Sequence, residues 1–294
     1  MIQKLSISLL LSGSLISGCA TQSIQQAKDL STSGVAYADA MDKLLDVTVN
    51  RMIDFDAAEL KKARRGSSLR EMIAEKNYAL LSVLDEFGRF RSQTKLLKTY
   101  FINLQALADS PIESDAGGAL KALSDSIGKL NKTLGEDDKE SLTEDQKIQI
   151  GALAGLVAHN VQGAKVKHAL ERDAEIIGTY LALQENQIEG MSNILEDRFL
   201  AENDLFLNEK IIAPYVNKDT PLSESWEKDR KEWVKTQFVS QQFVMAREAA
   251  KQLRGVWSDI LEGKADIGSI SILISDVNEF VMTAQSLETA SKAK

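Results

Sequence analysis

Cys19 is the only cysteine among 294 residues, so the chemistry open to its sulfur is set by the residues before it, Leu15-Ile16-Ser17-Gly18. They close a stretch with the three parts of a secretory leader: Lys4 as the positive region, Leu5 to Ile16 as the apolar region, and Ser17-Gly18 as the small residues before a cleavage point. The apolar part is about 12 residues long and a membrane-spanning helix needs roughly 20, so the stretch reads as a leader and not as a permanent span. Elsewhere the residue types for chemistry are present, but their spacing is wrong. His159 and His168 are nine apart; at about 100° per residue they fall on opposite sides of one helix and cannot share a metal ion unless the helix breaks between them. No Glu-x-x-His, His-Glu-x-x-His or Gly-x-Ser-x-Gly occurs, and Gly263-Lys264 lacks both the upstream glycine and the following hydroxyl residue of a phosphate-binding loop. Carboxylates are many, but the sequence alone cannot show that two of them converge, so an envelope hydrolase using carboxylates stays as the least favoured alternative. The expectation is therefore no enzyme, no metal and no catalytic residues.

Ile16-Ser17-Gly18-Cys19 resembles the lipobox of bacterial lipoprotein precursors, an aliphatic residue and two small ones before a cysteine. The resemblance covers only residues 1 to 19. It implies a diacylglyceryl thioether on Cys19, cleavage between Gly18 and Cys19, and an N-acyl chain (palmitate in kind) on the new amino terminus, with no other cofactor. Ala20 follows Cys19 where an aspartate commonly retains such proteins at the inner membrane, so the resemblance favours the periplasmic face of the outer membrane. Two or more acyl chains anchor stably where one holds only marginally. The implied partners are the membrane, through the anchor, and another envelope protein.

The formal net charge is −8, and losing Lys4 with the leader makes it one unit more negative. Nucleic acid is therefore not expected as a partner, since it demands a basic face. Once Cys19 is modified no cysteine remains for a disulfide, so stability outside the cytoplasm would come from packing alone. Two patches stand out as possible partner surfaces. Lys61, Lys62, Arg64 and Arg65 form a basic tip, a placement that also suits the carbonyl end of a helix. Trp226 and Trp233 are seven apart and share a helical face, which either packs inside the protein or binds a partner.

The elements that must carry these residues are helices. Proline, which costs about 3 kcal/mol inside a helix, occurs only at Pro111, Pro214 and Pro221, and aromatic residues are only 6%. A first helix is expected to end near Arg65, with Leu30, Tyr37, Met41, Leu44, Met52 and Phe55 on one stripe. A second, over residues 68–108, repeats Leu69, Ile73, Lys76, Leu80, Val83, Phe87, Phe90, Thr94, Leu97, Phe101, Leu104 and Ala108 in alternating fours and threes, the period of left-handed coiled-coil packing. Later helices are expected at 116–134, from a capping box at Thr143 and Gln146 almost to Pro214, from a Thr220-Pro221 start to Glu262, and at 269–291 with Ile270, Leu273, Val277, Phe280, Ala284 and Leu287 inward. The fold expected is all-α, an elongated antiparallel bundle of five or six coiled-coil-like helices. Its organisation would be a leader 1–18, a lipidated tether 19–25 and a bundle 26–294, with two lobes, 26–165 and 166–294, as an alternative. Lys76, Thr94 and His168 are polar at core-facing positions and would line a cavity if the bundle bound a ligand.

Overall fold

A computed structural model describes the backbone of residues 14–63, 69–110, 116–133, 142–154, 164–217, 219 and 221–292. Among the described residues all regular structure is helical: α1 (Ser14–Ala63), α2 (Leu69–Asp109), α3 (Ala116–Thr133), α4 (Glu144–Ala154), α5 (Ala164–Phe206), a π-helical turn (Leu207–Ile212), α6 (Ala213–Val216), α7 (Ser225–Glu262) and α8 (Ile267–Lys292). The expected count of five or six is exceeded because the helical stretch read between Thr143 and Pro214, where Gly163, Gly178 and Gly190 make a bend or break at least as favoured as one straight helix, is α4, α5, the π-turn and α6 among the described residues.

Pro214 does not end that run. Its missing N–H and its ring would disrupt a regular α-turn, and the wider π-turn lies immediately before it, with the Ala213 N–H bonded five residues back to the Asn208 carbonyl. The helix thus continues through Pro214 to Val216. At the next start, α7 begins at Ser225 and not at Thr220-Pro221: the Trp226 N–H donates to the Ser223 carbonyl at 3.0 Å, which sets the first turn. Residues 19 to 25, expected as a tether, continue α1.

Three helix ends have identifiable chemistry. The Thr143 and Gln146 box is formed in both directions, Gln146 N–H to Thr143 Oγ1 at 3.2 Å and Thr143 N–H to Gln146 Oε1 at 2.9 Å. Gly263, with φ of 70°, closes α7: its N–H bonds to Ile260 O and that of Lys264 to Asp259 O, the paired bonds of a Schellman turn. Asp266 then caps α8, accepting from the Ser269 N–H at 2.7 Å. The β-branched run Ile270 to Ile274 is therefore entered as helix, as its spacing predicts.

The chain divides into two compact units, each drawn from three stretches: 1–35, 96–183 and 251–275 in the first, 36–95, 184–250 and 276–294 in the second. A single cut between residues 165 and 166 does not describe this. A helix of 40 to 50 residues is about 60–75 Å long, so its first half serves one unit and its second half the other.

The core of the first unit holds Leu30, Leu97, Tyr100, Phe101, Leu104, Leu170, Ile177, Leu181, Leu253, Trp257, Ile260 and Leu273. Tyr100 lies edge-on to Trp257, with ring centroids 6.1 Å apart. Lys28 meets Asp109 at 2.6 Å and Gln105 donates to Thr32 at 3.3 Å, so residue numbers fall on α1 as they rise on α2, the antiparallel sense expected. The second unit buries Tyr37, Met41, Leu44, Met52, Phe87, Phe90, Ile188, Leu195, Phe243, Val277, Phe280 and Ala284. The α2 stripe is buried from Phe87 to Ala108, whereas Ile73 is exposed and Lys76, Leu80 and Val83 are half-buried. Buried hydroxyls at Ser31 and Thr48 are satisfied within their own helices, each donating four residues back.

Candidate functional site

Cys19 and Gly18 lie on the backbone of α1, but the side chains described begin at Ile24, so the sulfur and its surroundings fall outside the described residues. Arg64, Arg65 and His159 also lie outside them, as does the side chain of Lys62; Lys61 is exposed. His168 is on the surface, 77% exposed, with Nδ1 3.6 Å from Glu171. Of the three polar groups read as core-facing, only Thr94 is buried. Among the described residues no group of three or more His, Cys, Asp or Glu side chains could hold a metal ion.

The two tryptophans read as a shared face are both half-buried and differ in their surroundings. Trp226 stacks on Tyr215 with ring centroids 5.5 Å apart, and its indole N–H donates to the Ile211 carbonyl at 3.1 Å. It holds the π-turn and α6 against the start of α7. What this leaves outside is an apolar cluster that sequence reasoning missed: Ile212, Tyr215, Val216 and Leu222 are all exposed. Pro214 marked that stretch as a turn, which hid its helical surface. Trp233 keeps its indole nitrogen buried without a hydrogen-bond partner among the described residues.

Three buried or half-buried polar clusters also went unread as clusters, because each joins residues from distant parts of the sequence, even where two of them, Arg172 and Asp173, are neighbours. In the first unit Asp173 is fully buried and is gripped by Arg172, Nε at 2.6 Å and Nη2 at 2.9 Å, while Arg172 Nη1 reaches Ser124 at 3.5 Å. Burial raises the Asp173 pKa above the usual carboxylate value, with Arg172 opposing it, and burial beside this carboxylate pushes Tyr100 well up. In the second unit Arg91 pairs with Asp42 through two nitrogens, reaches Asp46 at 3.4 Å, and ties α2 to α1. Those bonds hold the Asp42 pKa below its usual value. The third cluster joins Tyr37, Thr94 and Gln184, from α1, α2 and α5: Gln184 Oε1 lies 3.1 Å from each hydroxyl.

α8 has one further property. Its stretch Ile267–Ser286 is long and apolar enough to cross a membrane by length and composition, with mean hydropathy 1.3 and 28% of it buried. Ile270, Leu273, Val277, Phe280 and Ala284 on this stretch are core residues, and a core helix of a soluble protein passes the same test.

The class these features define is an all-helical protein whose long helices pack through apolar stripes and a few interior polar clusters. Comparison with protein-family models, with curated proteins and with solved structures gave no match to this chain.

Proposed function

We propose that the protein is a lipid-anchored envelope lipoprotein, held by acyl chains on Cys19 at the periplasmic face of the outer membrane, which acts as a non-enzymatic scaffold, adaptor or modulator of another envelope protein. The observation that carries the reading is the run Leu15-Ile16-Ser17-Gly18-Cys19 at the end of a leader. Long helices suit the role, since they offer more surface for a protein than concave volume for a substrate. Metabolic labelling with a fatty acid tests the anchor: Cys19→Ser should abolish labelling and block leader cleavage. A variant still processed and still membrane-bound refutes it. Photocrosslinkers at Lys61, Tyr215, Val216 and Trp233 test the partner; no reproducible protein neighbour from any of these positions would sink the adaptor role.

A second reading, a ligand-binding or sensing bundle, draws on the buried Thr94, Tyr37 and Gln184 cluster. A ligand selective for the folded state must raise its stability, so a thermal-shift screen separates the two readings.

A further inference from the structure

The polar cluster of the second unit cannot be satisfied by its own members. Tyr37, Thr94 and Gln184 have relative exposures of 0%, 1% and 0%. Gln184 Oε1 faces the Tyr37 hydroxyl and the Thr94 hydroxyl, each at 3.1 Å, and Thr94 also lies 3.0 Å from the Phe90 carbonyl. A hydroxyl has one proton, so Thr94 can donate to only one of its two acceptors at a time. Meanwhile Gln184 Nε2, which carries two protons, has no acceptor among the described residues. Turning the amide over does not cure this. Nε2 would then donate to both hydroxyl oxygens and Thr94 would donate to Phe90, but the Tyr37 proton would lose its acceptor. Each arrangement strands at least one buried polar group at the full cost of its desolvation.

Three further amide oxygens of the same unit are in the same condition. Gln93 Oε1, beside Thr94 in the chain, Gln187 Oε1, one turn beyond Gln184 on α5, and Gln242 Oε1 on α7 are buried without a donor among the described residues. On α2 and α5 the stranded groups are thus a donor and two acceptors. All belong to neutral side chains, and burial together with Glu185 keeps Tyr37 protonated.

We propose that Tyr37, Thr94 and Gln184 form a built-in site for ordered water inside the second unit, with one molecule accepting from Gln184 Nε2. The chemistry selects this guest in three ways. Residues so nearly sealed admit only a small one, a cluster without a counter-charge admits only a neutral one, and an unpaired amide donor in a cluster whose two hydroxyl oxygens can still accept asks for a group that both accepts and donates. Water does both, and buried waters of this kind make about three hydrogen bonds to otherwise unpaired groups. The bound molecule completes a polar knot that fixes the register of α1, α2 and α5, and it does so whether or not Cys19 carries lipid.

The test is a crystal structure of the whole chain that resolves solvent, with NMR transfer from long-lived water to the side-chain protons of residue 184. Expected are solvent density about 3 Å from Gln184 Nε2 and a water cross-peak to its N–H protons that Gln184→Met loses. Thr94→Val, which keeps Nε2, should retain the cross-peak and covers the case in which the methionine variant fails to fold. A protein acceptor on Nε2, a dry apolar contact there, or density for a larger guest overturns the proposal.

Discussion

At Gly34 the first unit leaves no room for a side chain: a β-carbon would lie 2.3 to 2.6 Å from three atoms of the Phe101 ring. Gly34→Ala should therefore destabilise the protein by roughly 1–3 kcal/mol, the usual cost of overpacking, with partial recovery when Phe101→Leu is added; thermal unfolding measures both. Two buried or half-buried carboxylates should titrate in opposite senses. Asp42 has a folded-state pKa below its ordinary 3.8, so its contribution is full above that value and is lost as pH falls through the lowered one. Asp173 has a pKa above 3.8, so the folded state binds the extra proton, and stability falls as pH rises from 3.8 through the raised value. In urea titrations across acid pH, the stability difference between wild type and Asp42→Asn should grow with pH, and that between wild type and Asp173→Asn should shrink. Neither carboxylate could be singled out beforehand, because no spacing joins Asp42 to Arg91 and nothing local shows that Asp173 is buried.

Among the elements, those whose ends are written in a few consecutive residues were legible. The Thr143 and Gln146 box and the stripes of α1 and α8 need only a helix to bring their members together. Thr143→Ala should loosen α4 at a cost of about 0.5–2 kcal/mol. Gly263→Ala should cost about 1–2 kcal/mol, because its φ of 70° is unfavourable for any residue with a β-carbon. Chemical unfolding monitored by circular dichroism checks both. Pro214 misled for a physical reason: its effect depends on the turn before it, and a π-turn accommodates a residue that a regular α-turn would not. The true start of α7, set by Ser223 to Trp226, was masked by the stronger local signal of Thr220-Pro221.

For the whole molecule the anchor and the folded body should be separable. Cys19→Ser should leave helical content and unfolding midpoint unchanged by circular dichroism while abolishing fatty-acid labelling, because the described core is built from Ala27 onward. By itself the sequence determined helix and apolar stripe, each of which depends on residues within a few positions of one another. The tertiary structure alone decided which half of the α2 stripe is buried, which carboxylates are paired, and that the partitions cut across the helices. Burial and pairing depend on which distant segment arrives beside a residue: Gln184 is an unremarkable polar residue in its own helix, and only the meeting of α1, α2 and α5 makes it the centre of a buried knot.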